Sequence, residues 1–229
     1  ASFLVLAGVA FVAALAGWGL RLPAAQRVHA VQPARPVKQI LADPGVGLAV
    51  AGAVVAYGVM NLLMTATPLA MLCTGQPFDA TATVIQWHLV AMFAPSFLTG
   101  SLVGRIGALR VMLIGALISL AAIALALAGD SYAHFQWSLV GVGLGWNLLY
   151  VGATTLLAEH WRAEEKGRVQ AVNDSLVFLG VTLATLGAAP LVDRLGWSAV
   201  NAWAAIPLLV MVLVLGRALQ RRAGLASPA

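Results

Sequence analysis

Gly100-Ser-Leu-Val-Gly-Arg-Ile-Gly-Ala-Leu-Arg110 is a short basic turn between two long apolar runs, spaced G-x-x-x-x-R-x-G-x-x-R. Its centre recurs further along. Ser101-Leu-Val-Gly-Arg-Ile-Gly107 reads against Pro190-Leu-Val-Asp-Arg-Leu-Gly196, with Leu, Val, Arg and the closing Gly in register. Three apolar runs separate the copies, so in a bilayer the two turns face opposite sides. A turn repeated and flipped across a membrane marks an inverted structural repeat, common in secondary transporters.

Composition sets the same frame. Of the 229 residues 61% are hydrophobic and 9% charged, and the mean hydropathy is +0.93. A soluble domain carries about 25% charged residues, so this chain turns its outer surface to lipid. The net charge of +5 sits between apolar runs, which reads as membrane topology and not as a nucleic-acid surface. The single Cys73 leaves no internal disulfide and no Cys-based metal site; no cofactor is expected. Position 1 is Ala, with an apolar run from the first residue and no basic region before it. That pattern reads as a fragment of a longer chain in preference to a cleaved signal peptide.

Seven apolar segments have about the length a spanning helix needs: 1–20, 45–72, 82–103, 109–128, 134–157, 169–191 and 198–216. The first is followed by a polar, Pro-rich linker, 21–44, containing Pro23, Pro33, Pro36 and Pro44. Every later connection is short. The division is therefore a helix over 1–20 that belongs to something before it, a linker over 21–44, and a six-helix bundle over 45–229. Of the 13 Lys and Arg residues, all but Arg194 fall on one side when the helices alternate. Arg194 shares the other side with Asp79, Asp130 and Asp193. The positive-inside rule then places the C-terminus in the cytoplasm of a multi-pass protein of a plasma or bacterial inner membrane.

Small residues at four-residue spacing, Gly100/Gly104, Gly141/Gly145 and Gly180/Ala184, mark places where helices can approach closely. Pro68 and Pro95 fall inside the second and third segments, where a missing N–H bends or breaks a helix.

A polar side chain at membrane depth needs a partner or a water-filled cavity. Asn61, Thr65 and Pro68 share one face of the second segment, and Asn147, Tyr150 and Thr154 one face of the fifth. The third carries Gln86 and His88, with Met92 and Ser96 following His88 down the same stripe; the sixth carries Gln170, Asn173 and Asp174. The fourth and seventh carry almost nothing polar and are expected to be lipid-facing walls. Asn61, Thr65, His88, Trp146, Asn147, Tyr150 and Asp174 are the candidate substrate or ion pathway. Each has a plainer reading: amides bonding across helices, His88 in an interfacial belt beside Trp87, Asp174 paired with Arg168. His88 and Asp174 are the groups suited to a coupling proton.

An intramembrane enzyme is not expected, because H-E-x-x-H, G-x-S-x-G and a paired intramembrane Asp are all missing from the sequence. A seven-helix receptor or sensor fits the helix number, although no Lys lies inside a segment and the long linker splits the set into one plus six. A non-transporting scaffold is the other alternative.

With these pieces in place the chain resembles the C-terminal half of a major facilitator superfamily transporter: the sixth helix, the central loop, and helices seven to twelve. Gly100, Arg105, Gly107 and Arg110 match the family's cytoplasmic loop motif, and Asp193 and Arg194 lie in a family-like external turn. Gly104 stands where the motif has Asp, which implies a weakened cytoplasmic latch. The resemblance implies an all-α polytopic membrane protein whose last six helices form a bundle of two inverted three-helix repeats. It further implies a small-molecule substrate moved by alternating access, a proton or other gradient as motor, and a missing N-terminal half as partner within the lipid bilayer.

Overall fold

The computed structural model describes residues 2–18, 35–162 and 164–226. Every regular element among them is a helix: α1 Ser2–Trp18, α2 Val37–Leu41, α3 Pro44–Cys73, α4 Phe78–Phe93, α5 Ser96–Ile106, α6 Ala108–Leu127, α7 Tyr132–His160 and α8 Lys166–Ala226. The chain divides into two compact units, Ala1–Pro33 and Ala34–Ala229. In the first unit, α1 is an apolar helix. The linker residues Arg21, Pro23, Arg27 and Pro33 lie outside the described residues. The boundary falls later in the sequence reading than in the structure. Residues 35–43, assigned to the linker, pack with the bundle, burying Ile40 of α2.

Five helical runs of the second unit, or pairs of runs, are long and apolar enough to cross a membrane: Pro44–Cys73, Phe78–Ile106, Ala108–Leu127, Tyr132–His160 and Lys166–Gly224. The last contains 59 residues, about 90 Å of helix at 1.5 Å per residue, far more than one crossing requires. It is divided at Gly196, whose φ of 78° and ψ of 173° are not helical, into limbs 166–195 and 197–226. Pro68 leaves α3 unbroken, whereas Pro95 separates α4 from α5.

Gly196 and Gly107 are the closing glycines of the repeated turn, and they share a conformation: Gly107 has φ 85° and ψ 153°. Only glycine adopts this region without steric cost, so the repeat is one of backbone geometry as well as of letters. The two turns lie at opposite ends of α6. Gly107 precedes its first residue. At the far end, Trp197, just after Gly196, donates its indole N–H to the carbonyl of Ala126 at 3.3 Å.

The basic end is held together from several elements. Pro44 of α3, Leu109 of α6, His160 of α7, and Arg217 and Arg221 of α8 line one cavity there. Arg35 and Glu165 close the α7–α8 connection beside it. The Glu165 side chain is buried and accepts from Arg35 Nε at 2.8 Å, Arg35 Nη2 at 2.9 Å and the backbone N–H groups of Arg35 and Arg162. These donors, Arg35 foremost, hold its carboxyl at a pKa of about 2, well below the ordinary value.

Packing of α6 on α7 is close. A Cβ on Gly115 would meet the Gly145 carbonyl oxygen at 2.7 Å, and one on Gly152 would meet the Met112 side chain at the same distance. Gly141/Gly145 thus serve as the spacing predicts. Gly100 and Gly104 do not: space around both is open. The expectation for the fourth segment holds on one side of the helix: Ile114, Leu117 and Leu125 are exposed. Half of the most apolar window of α6 is buried, against 11% for that of Phe78–Ile106. The other side of α6 packs on α7 and α8, and the polar-bearing α4–α5 run is the more exposed of the two.

Candidate functional site

The centre of the site is a nest of aromatic rings that spans three helices. Trp146 and Tyr150, one turn apart on α7, stack with ring centroids 5.4 Å apart and planes 9° from parallel. Tyr57 of α3 stands edge-on to both, at 5.1 Å from Trp146 and 4.7 Å from Tyr150. Phe93, the last residue of α4, closes on Trp146 at 5.9 Å. Trp146 is buried, Tyr57 and Tyr150 are half-buried, and Phe93 is exposed. The Trp146 indole N–H is buried without an acceptor among the described residues. An unmade hydrogen bond of this kind costs about 1–3 kcal/mol, so the donor is one that a ligand oxygen can satisfy.

Two polar groups flank the nest. Asn61, one turn beyond Tyr57 on α3, donates to the Thr185 hydroxyl at 2.5 Å and more weakly to the Val181 carbonyl at 3.4 Å. It therefore ties α3 to the first limb of α8. Thr65, a further turn on, is half-buried. Asp174 of the same limb, half-buried, accepts from Gln170 Nε2 at 2.8 Å and Asn173 Nδ2 at 3.1 Å. Asp174 is thus joined to its own helix; of the readings open to it, the pairing with Arg168 is not seen, since Arg168 donates to the Arg35 carbonyl at 3.1 Å.

Asn147 has a different place from its neighbours. Its Nδ2 donates to the Met92 carbonyl and the Ser96 hydroxyl, both at 2.7 Å, and its Oδ1 accepts from the Thr99 hydroxyl at 2.6 Å. Pro95 interrupts the helix between Met92 and Thr99, and Asn147 spends its amide on groups at that interruption. His88 is fully buried two turns earlier. Its Nδ1 lies 2.7 Å from the Leu139 carbonyl, which requires the proton on Nδ1, and its Nε2 has no partner among the described residues. Gly143 permits this contact, since a Cβ there would lie 2.8 Å from the His88 carbonyl oxygen.

The structure therefore brings Trp146 and Tyr150 together, with Asn61 one turn beyond Tyr57 and Asp174 on the α8 limb that Asn61 contacts, puts His88 and Asn147 on the α4–α7 seam, and leaves the turn residues apart. Arg105 is exposed in the last turn of α5, Arg110 reaches the Ile106 carbonyl at 3.5 Å, and Gly107 caps α6 without a side-chain bond. Gly100 is exposed on α5; Asp193 and Arg194 are exposed at the other end of the bundle. Tyr57 and Phe93 escaped the sequence reading. Tyr57 carried a usable signal: it is one of three Tyr residues, in mid-span, four residues before Asn61.

The family described as Major Facilitator Superfamily matches residues 49–228. The riboflavin transporter RfnT of Brucella anthropi is 38% identical over 180 residues, covering 79% of this chain and 45% of that protein. Two Bacillus subtilis proteins described as uncharacterized MFS-type transporters, YdeG and YddS, are 33% identical over 123 residues and 31% identical over 128 residues. They cover 53% and 55% of this chain and 29% of each relative. The chain spans less than half the length of these relatives.

Proposed function

The chain belongs to the Major Facilitator Superfamily, and on that premise we propose that it forms the C-terminal half of a secondary transporter. In this reading α3 to α8 make six crossings, Gly196 dividing the last run, and α1 is the final helix of a preceding half. Alternating access then comes from the two halves rocking about the aromatic nest. The basic end faces the cytoplasm by the positive-inside rule.

The observation that carries the reading is the nest of Tyr57, Trp146 and Tyr150 around an unsatisfied indole N–H. It suits a flat, uncharged aromatic solute with carbonyl acceptors. Stacking holds the rings, at about 0.5–1.5 kcal/mol for each aromatic pair, and Trp146 Nε1 orients a carbonyl. Riboflavin, the solute named for the Brucella anthropi relative, has that chemistry and is the first candidate. Asp174, on the limb of α8 that Asn61 fastens to α3, is the acid assigned here to proton exchange with the site. His88 is more remote, bound to Leu139 and turned into the α4–α7 seam.

The test is riboflavin uptake by the full-length protein in cells that cannot make the vitamin. Trp146→Ala should lower uptake roughly tenfold, the loss of about 1.4 kcal/mol of stacking and hydrogen bonding, at unchanged membrane abundance. Asp174→Asn should abolish dependence on the proton gradient and leave equilibrative exchange. No accumulation by the wild type, or normal uptake by Trp146→Ala, would overturn the proposal.

A further inference from the structure

At the basic end, between the start of α3 and the last turns of α8, lies a cavity of about 450 Å³ whose charged rim is Arg217, Arg221 and Arg222, with His160 opposite. No carboxylate lies within 4 Å of any of the three arginines among the described residues, and all three are exposed. Leu48, Leu156 and Val214 supply apolar lining. The cavity does not end there. Pro44, Leu48 and Val214 also line a second groove of about 480 Å³, which continues along the seam of α3 and the second limb of α8. That arm is almost wholly apolar, with Gly47, Ala51 and Val55 on one side and Pro207, Val210 and Met211 on the other. Asp43 stands on its rim, but its carboxylate is engaged with the first N–H groups of α3, at 2.9 Å from Gly45 and 3.4 Å from Val46.

The groove thus changes character along its length. From Arg222 to Pro207 the second limb rises about 22 Å at 1.5 Å per residue, close to the depth of one leaflet with its headgroups. A charged end at the membrane surface leading into an apolar arm at hydrocarbon depth matches the profile of a single phospholipid. A soluble anion would use the first part and gain nothing from the second. Three cations around one opening, with no carboxylate paired to them among the described residues, also select charge: a phosphodiester bearing net negative charge is favoured over one neutralised by choline.

We infer that this groove binds an anionic phospholipid, its phosphodiester held by Arg217, Arg221 and Arg222 and one acyl chain laid along the seam of α3 and the second limb of α8. Arg110 and Arg222 line an adjoining cleft of about 310 Å³ beside the start of α6, so Arg222 is shared and the lipid's headgroup reaches the basic turn that the sequence repeats. Occupancy fastens the second limb of α8 to α3 and does not depend on what the protein carries.

The experiment is native mass spectrometry of the full-length protein released from detergent with equal amounts of phosphatidylglycerol and phosphatidylcholine. The wild type should retain phosphatidylglycerol at least tenfold in excess, as three surface arginines imply. The triple variant Arg217→Gln/Arg221→Gln/Arg222→Gln should lose the preference, whereas Lys38→Gln, which removes a charge from the same end outside the groove, should keep it. Arg222→Glu alone is the second reading should the triple variant not fold; it should cut the preference at least severalfold. Gly47→Phe, in the apolar arm, should weaken retention of long-chain but not of short-chain phosphatidylglycerol. Equal retention of the two lipids by the wild type, or an unchanged preference in the arginine variants, overturns the inference. So does full displacement of the lipid by millimolar glycerol phosphate, which would make the groove a soluble-anion site.

Discussion

The two faces of α7 are built on opposite principles. Toward α6 the seam is dry: Gly115, Gly145 and Gly152 bring the backbones together, and Ser119 bonds only to Gly115 in its own helix, at 3.0 Å. Toward α4 and α5 the seam is polar, with His88 on the Leu139 carbonyl and Asn147 on three groups around the Pro95 break. Without a hydrophobic drive between helices in lipid, contact area and hydrogen bonds must hold them. The dry seam uses the first and has one good arrangement. The polar seam uses the second, around a helix already interrupted, and its bonds can be exchanged for others as the helices move. The transport cycle proposed above calls for both kinds: a part that stays rigid and a part that yields.

The largest effect that separates the faces is overfilling the dry one. Gly145→Leu would press a side chain into Ser119 and the Gly115 carbonyl, where backbone on both helices leaves nothing flexible to give. Destabilisation of about 3 kcal/mol is expected, at the upper end for overpacking, with little folded protein recovered from detergent. Gly104→Leu has the same small-residue spacing in its sequence but open space around it, and should unfold within a degree or two of the wild type. Similar losses at both positions, read as thermal unfolding midpoints, would remove the distinction between seam and surface.

Breaking the polar face should cost less. Asn147→Leu strands the Met92 carbonyl, yet Thr99 already has a second acceptor in the Pro95 carbonyl at 2.9 Å. Interhelical hydrogen bonds in membranes average near 0.6 kcal/mol with a maximum of about 1.7, so about 1–2 kcal/mol is expected. The protein should still fold. Its signature should be altered motion at Pro95: faster amide hydrogen exchange in α5, with α6 unchanged. Exchange that rises equally in α6 would show the two faces to be coupled as one rigid body.

This contrast explains how much of the molecule was readable beforehand. Apolar run length located α3, α6 and α7, because a span in lipid has to satisfy its own backbone and little else competes. The repeated turn was legible since its glycines need a positive φ at Gly107 and Gly196. Small-residue spacing was legible only in part: it says a backbone can be approached, not that another helix is there, and so Gly141/Gly145 and Gly100/Gly104 looked alike. Polarity told only half of α6: Ile114, Leu117 and Leu125 are exposed, but a helix without polar groups packs as well against protein as against lipid, and its other side does. At the site, Asn147 looked like Asn61, for a single sequence does not say that the Pro95 break would claim its amide. Tyr57 was missed because a tyrosine counts as apolar until its partners Trp146 and Tyr150 are known.

The smallest effect lies outside both faces, in the clasp of Arg35 and Glu165, where charge does what glycine contact and amide bonds do within the membrane. Glu165 is buried but the Arg35 side chain keeps 25% of its exposure, so solvent screens the pair and its worth falls between an exposed pair and a buried one. Glu165→Gln should cost about 1 kcal/mol at neutral pH. The pH dependence follows from the lowered pKa. An unfolded chain protonates this carboxyl near the ordinary glutamate value of about 4.3, whereas the folded protein holds it ionised down to about 2. The clasp's contribution is therefore complete above the ordinary value and lost as pH falls from there through about 2. Unfolding midpoints of wild type and Glu165→Gln should differ at pH 7 and converge toward pH 2. The gap between wild type and Gly145→Leu should not follow that course, since no titrating group lies in the dry seam. A Glu165→Gln gap that stayed constant into acid would mean that packing of the loop, and not the ionised carboxylate, fastens residues 35–43 to the bundle.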